Sequence, residues 1–136
     1  MTTREFKPGF RLSAIDVAVL ILGAIGSIVV ARYVWWLGLA VAVVVGHFLL
    51  FCNVFRISRL LELAWSAVFV ALAASTVSRG SPPWPVTLAL TLVVTVVVVA
   101  IEIRKPSYHG VGWQWINPGL RQWWDTNIAG LTGRST

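Results

Sequence analysis

Four apolar runs separated by short polar connections dominate this chain and leave its fold little freedom. They cover about residues 12–30, 34–54, 60–77 and 86–103. Each is near the ~20 residues that carry a helix across a ~30 Å hydrocarbon layer at ~1.5 Å per residue. A soluble core cannot enclose four such runs in a chain of 136 residues, whereas a bilayer supplies the apolar solvent they need. Composition agrees: charged residues make up 12%, against roughly 25% in an ordinary soluble domain. The mean hydropathy is +0.80. The fourth run is rich in Val and Thr, which favour strands in water. Its length and its lack of polar alternation favour a helix. The expected fold is an all-α integral membrane bundle of four transmembrane helices, occupying residues 12–105.

The connections set the orientation. The segment 1–11 carries Arg4, Lys7 and Arg11, the connection after the second run carries Arg56 and Arg59, and the C-terminal part carries Arg104, Lys105, Arg121 and Arg134. With four spans these nine basic residues fall on one side, against Arg32 and Arg79 on the other. The positive-inside rule then places both termini in the cytoplasm, and the cell membrane is the expected location. A rival reading takes the first run as a signal peptide ending at Val29-Val30-Ala31. The net charge of +6 is accounted for by topology and anionic lipid, so no nucleic-acid partner is expected.

Small residues recur every four positions at Gly38, Ala42 and Gly46, with Asn53 continuing that face, and at Ala67, Ala71 and Ser75. Such stripes let helix backbones approach closely in lipid. Gly23 and Ser27 in the first run, and Thr87, Thr91 and Thr95 in the fourth, offer similar edges. Their expected use is packing within the bundle, with self-association or docking to a larger complex as the alternative.

Asp16, His47, Arg56, Arg59, Glu62 and Glu102 all fall toward the basic side. Arg59 and Glu62 have the spacing of a helical ion pair. The group reads as interfacial ion pairs that fix helix ends, or as a ligand or ion site, because acidic groups at membrane depth are costly. His47 lies deepest, and serves either a helix contact or a proton relay or metal site. The other histidine, His109, lies outside the runs, so a bis-histidine haem is not expected; nor is zinc, whose ligand spacing is missing. The lone Cys52 forms no internal disulfide. With no phosphate loop and no nucleophile set, neither an enzyme nor a cofactor is expected.

Residues 106–136 form a Trp-rich tail. Asn117-Pro118 signals a helix start, and Leu120, Trp123, Trp124 and Ile128 then share one face. The expectation is an amphipathic helix over about 118–129, lying on the cytoplasmic leaflet or docking a protein partner.

The stretch Gly23-Ala24-Ile25-Gly26 through Ala31-Arg32-Tyr33 resembles the first helix of small four-span fluoride channels over about eleven residues. The Asn- and Thr/Ser/Phe-rich motifs of their later helices are missing, so no site is carried over. Small multidrug transporters are similar in size and span count, but they place an acidic residue well inside the first helix, where this chain has Asp16 near the end. The expected function is a non-enzymatic accessory, scaffold or assembly component of a larger membrane complex. The alternative is a small transporter or channel acting as a homo-oligomer.

Overall fold

The computed structural model describes residues 6–129, and all regular structure among them is helical. Four helices are long and apolar enough to span a membrane. They are α1 (Ala14–Ala31), α2 (Trp35–Leu49, extended by a π-helical turn Leu50–Val54), α3 (Arg59–Arg79) and α4 (Trp84–Ile103). Beyond them lie α5 (Trp113–Ile116) and α6 (Leu120–Trp124), the latter running into a π-helical turn Asp125–Ala129.

Helix α1 starts on a capping box. Asp16 Oδ2 accepts from the Ser13 amide at 2.8 Å and the Ser13 hydroxyl at 2.6 Å, while the Asp16 amide donates to Ser13 Oγ at 3.2 Å. This satisfies donors that a helix N-terminus otherwise leaves open. After the tight turn at 32–34 the chain doubles back, and α1 packs along α2. Gly38 makes that approach possible: a Cβ there would collide with Ala31 and stand 2.6 Å from the Ser27 carbonyl oxygen. The Ser27 hydroxyl uses the proximity to donate to the Gly38 carbonyl at 2.6 Å.

Helices α3 and α4 form the second hairpin. Gly80 ends α3 in the left-handed region at φ 68°, a conformation glycine adopts without a Cβ penalty. Thr87, Thr91 and Thr95 are all buried. Thr91 and Thr95 donate to carbonyls one turn back at 2.8 and 2.9 Å, and the Thr76 and Thr87 hydroxyls pair at 2.6 Å. Each hydroxyl thus has a partner inside the apolar interior, as a buried polar group requires.

The hairpins meet through aromatic rings. Phe51, Trp65, Phe69 and Val98 form the buried core. Trp65 stacks on Phe69 with centroids 5.4 Å apart, and Phe51 meets Trp65 edge-on. The outer surface is the reverse of a soluble protein's. Leu22, Ile25, Ile28, Leu63, Val70, Val93 and Val96 are exposed along the helices, forming a far larger apolar girdle than a soluble monomer leaves in water. At the end opposite the basic residues, Trp84 stacks on Trp36 at 6.3 Å and meets Trp35 edge-on at 5.9 Å.

A candidate functional site at the basic end

Three segments distant in sequence are tied together at the basic end by backbone hydrogen bonds. Gly9 donates to the His109 carbonyl at 2.7 Å, Arg11 to Asn53 at 3.2 Å, and Val111 to Val54 at 2.7 Å. Gly110 lies so close to the 55–56 backbone that a Cβ would stand 2.5 Å from the Phe55 carbonyl oxygen. Tyr108 is fully buried and donates to the Val111 carbonyl at 2.7 Å. Burial, then the Glu102 charge, raises the Tyr108 pKa, so the phenol stays neutral and can donate. The result is a cap built on the ends of α1, α2 and α4.

Asn53 is the buried joint between this cap and α1. With its amide turned to suit its neighbours, Nδ2 donates to the Arg11 carbonyl at 2.9 Å and to Asp16 Oδ2 at 3.3 Å. Asp16 is therefore committed to Ser13 and Asn53. On the other side, buried Glu102 pairs with Lys105 at 2.9 Å, and Lys105 Nζ also donates to Ser58 Oγ at 3.0 Å. The expected Arg59–Glu62 pair does not form: Arg59 is exposed, and among the described residues the Glu62 carboxylate has only a weak 4.0 Å contact from Cys52 Sγ. His47 sits apart from all of these. Its ring stacks on Trp65 at 4.4 Å and its Nδ1 lies 2.8 Å from the Val43 carbonyl. A carbonyl only accepts, so in that contact Nδ1 carries the proton. Among the described residues no cluster of His, Cys, Asp and Glu has the geometry to hold a metal.

The tail differs from the expected single helix. Helix starts at Leu120 rather than Pro118, because the Asn117 amide donates to the Pro106 and Tyr108 carbonyls at 2.6 and 3.1 Å and caps nothing. Leu120 is fully buried within the chain. Trp124 meets Phe6 edge-on at 5.5 Å, Trp113 meets the same ring at 5.8 Å, and the Arg121 guanidinium lies 5.1 Å from its centroid. Part of the expected membrane- or partner-facing surface is thus spent on the chain's own N-terminal segment. Trp123 and Ile128 remain half-buried, and Trp115 stands 90% exposed. The last residues of the expected tail, from 130 onward, lie outside the described residues.

The small-residue stripes divide. Gly38 is buried against α1, but Ala42, Gly46, Ala67 and Ala71 are exposed. Ala42 and Gly46 instead face Gly23 and Ser27 across an open apolar groove of about 290 Å³ between α1 and α2.

Two cavities of about 500 Å³ each lie at the basic end. The first is lined by Lys7, Phe10, Arg11, Arg56, His109 and Trp124 among others. The second, of mixed charge, lies between Arg59, Glu62 and Glu102. Arg56 and His109 belong to both, so Arg56 stands in the wall between them. Its backbone is left-handed at φ 49°, uncommon and strained for a residue with a Cβ. Its Nη1 donates to the Lys7 carbonyl. Burial, then the Arg11 charge, lowers its pKa from the ordinary guanidinium value. The sequence places Arg56 both among the basic residues that set orientation and in the ionisable group read as ion pairs or a ligand site, but gives Arg11 and His109 no common role with it; nothing local in the sequence brings the three together. Compared with known proteins, the chain matches no protein-family model, no curated protein and no solved structure at a significant level.

Proposed function

We propose that the chain is an integral protein of the cell membrane, with its basic end in the cytoplasm, that works as a non-enzymatic accessory or scaffold component of a larger membrane assembly. One observation carries this reading. Helix α1 has span length, yet none of its residues is buried, and its Gly23–Ser27 edge forms an open groove with Ala42 and Gly46. A Cβ at Gly46 or Gly26 would meet nothing within 4 Å. A surface of this kind accepts another helix at short backbone distance, the contact that drives association in lipid. The interior supports the same reading: Trp65, Phe69 and Phe51 fill the space between α2, α3 and α4.

The test is purification of the full-length chain in mild detergent, as wild type and as Gly46→Leu. A stoichiometric membrane partner, lost in the variant while its own melting is unchanged, supports the accessory role. A homodimer that passes ions in liposomes and is disrupted by the same substitution favours the alternative, a small homo-oligomeric transporter or channel.

A further inference from the structure

We propose that the cavity between residues 7–11, Arg56 and His109 is a binding site for the phosphate-bearing headgroup of an anionic membrane lipid. This rests on the membrane placement above and is independent of the accessory role.

The geometry supplies four arguments. First, charge: Lys7, Arg11 and Arg56 line one cavity, and among the described residues no carboxylate does. Among the described acids, Asp16 is committed to Ser13 and Asn53, Glu102 to Lys105, and Glu62 lines the second cavity on the other side of Arg56. The exposed Arg11 guanidinium and the half-buried Arg56 guanidinium line the same cavity and repel, and an anion between them relieves that repulsion. Second, preorganisation: Arg56 is fixed by its bond to the Lys7 carbonyl. One of its five N–H donors is used there, and the planar fork suits a phosphate. The strained backbone of Arg56 is the kind of outlier that persists where a side chain must be aimed.

Third, depth. Arg11 lies just before the Ser13 cap of α1, and Arg56 just after the π-helical turn that ends the second span. Both therefore stand where spans leave hydrocarbon, the level of lipid headgroups. Fourth, amphipathy. Phe10 is 59% exposed beside the basic groups, and Trp124 forms another wall. A soluble phosphate has no use for these rings, whereas a lipid brings a glycerol and acyl chains to lie against them. A volume of about 500 Å³ is within the usual range of roughly 300–1,000 Å³ for small-molecule sites.

The experiment is native mass spectrometry of the full-length protein in detergent, titrated with phosphatidylglycerol, with phosphatidylcholine and with inorganic phosphate in separate arms. Wild-type protein should retain phosphatidylglycerol in preference to phosphatidylcholine. Arg11→Gln should weaken phosphatidylglycerol binding about fivefold, and Arg11→Gln with Arg56→Gln roughly thirtyfold. Arg32→Gln, at the opposite end, should leave it unchanged. Arg56 also holds the Lys7 carbonyl, so the double variant is read beside its melting temperature. Arg11→Gln keeps the test open if the double variant fails to fold, because the side chain of Arg11 is exposed and its cap contacts are made by backbone. Equal binding by wild type and a folded Arg11→Gln overturns the proposal. So does equal retention of phosphatidylcholine, or displacement of phosphatidylglycerol by inorganic phosphate at the same concentration, which would make the ligand a soluble anion. Detergent-dependent solubility of the wild type checks the membrane placement separately.

Discussion

The indole Nε1 of Trp65 donates to the hydroxyl of Thr95 at 2.9 Å, joining α3 to α4 inside the bundle. Thr95 passes the bond on, donating to the Thr91 carbonyl at 2.9 Å. Trp65 also stacks on His47 and Phe69, so one side chain connects α2, α3 and α4. Thr95→Val keeps the shape and leaves the indole N–H without its acceptor. Interhelical hydrogen bonds in membrane proteins contribute about 0.6 kcal/mol on average and up to about 1.7, so a loss near the upper value is expected, since among the described residues no other acceptor is paired with this N–H. Trp65→Ala should cost roughly 3–5 kcal/mol through the cavity it leaves. Denaturant unfolding in mixed micelles measures both, and a neutral Thr95→Val would show that the bond contributes nothing.

Gly38 and Gly46 belong to one small-residue stripe and should respond oppositely. A Cβ at Gly38 meets Ala31 and the Ser27 carbonyl, whereas at Gly46 it meets open space. Gly38→Ala should therefore destabilise the α1–α2 hairpin by about 1–3 kcal/mol, the usual cost of overpacking. Gly46→Ala should leave the melting of the isolated chain unchanged. Equal effects at the two positions would mean that the stripe faces one environment throughout.

The four long helices were legible because span length and apolarity are local properties of the sequence. The run at 12–30 became Ala14–Ala31, and the run at 86–103 became Trp84–Ile103. The threonine face of α4 was legible for the same reason, since a four-residue repeat fixes a face. The side on which Gly46 lies was not, because a glycine stripe carries no record of whether a neighbour belongs to the same chain. The cap was hidden for a different reason. It is held by backbone bonds between Gly9 and His109, Arg11 and Asn53, and Val111 and Val54, and backbone groups are alike in every residue. Asn117 misled because its side chain suits a helix cap and suits the Pro106 and Tyr108 carbonyls equally well.

Glu102 and Lys105 form a pair of unequal burial. Glu102 is 4% exposed, while the Lys105 side chain is 36% exposed. Lys105→Met removes the partner and leaves a carboxylate at the end of α4 without its cation. Breaking a buried pair costs roughly 3–5 kcal/mol. Solvent at the Lys105 head lowers that, and a loss of about 2 kcal/mol is expected. Lys105→Met with Glu102→Gln should recover most of it, because no charge is then stranded. Thermal unfolding of the four members of this cycle decides the matter, and a double variant as weak as the single one would mean that Lys105 acts through Ser58 or packing and not through Glu102.

Phe6 joins the two tails, and its removal should release the C-terminal one. Its ring meets Trp113 and Trp124 edge-on and carries the Arg121 guanidinium 5.1 Å from its centroid. Aromatic pairs of this kind contribute about 0.5–1.5 kcal/mol each beyond their buried area. Losing two of them should raise the population of the opened tail roughly tenfold or more. Leu120, the first residue of α6, is fully buried, so the tail stays anchored at that point and opening is confined to the residues after it. Trypsin reads this directly, since Arg121 is exposed but its peptide bond lies inside α6, where helix must open before cleavage. Phe6→Ala should therefore speed cleavage at Arg121 about tenfold while leaving the four long helices intact by circular dichroism. Phe6→Leu keeps the apolar volume without the ring edge and should fall between. If Phe6→Ala is cut no faster than wild type, the tail is held by Leu120 and the Asn117 amide alone, and the aromatic contacts to the N-terminal segment contribute nothing to closing the cap.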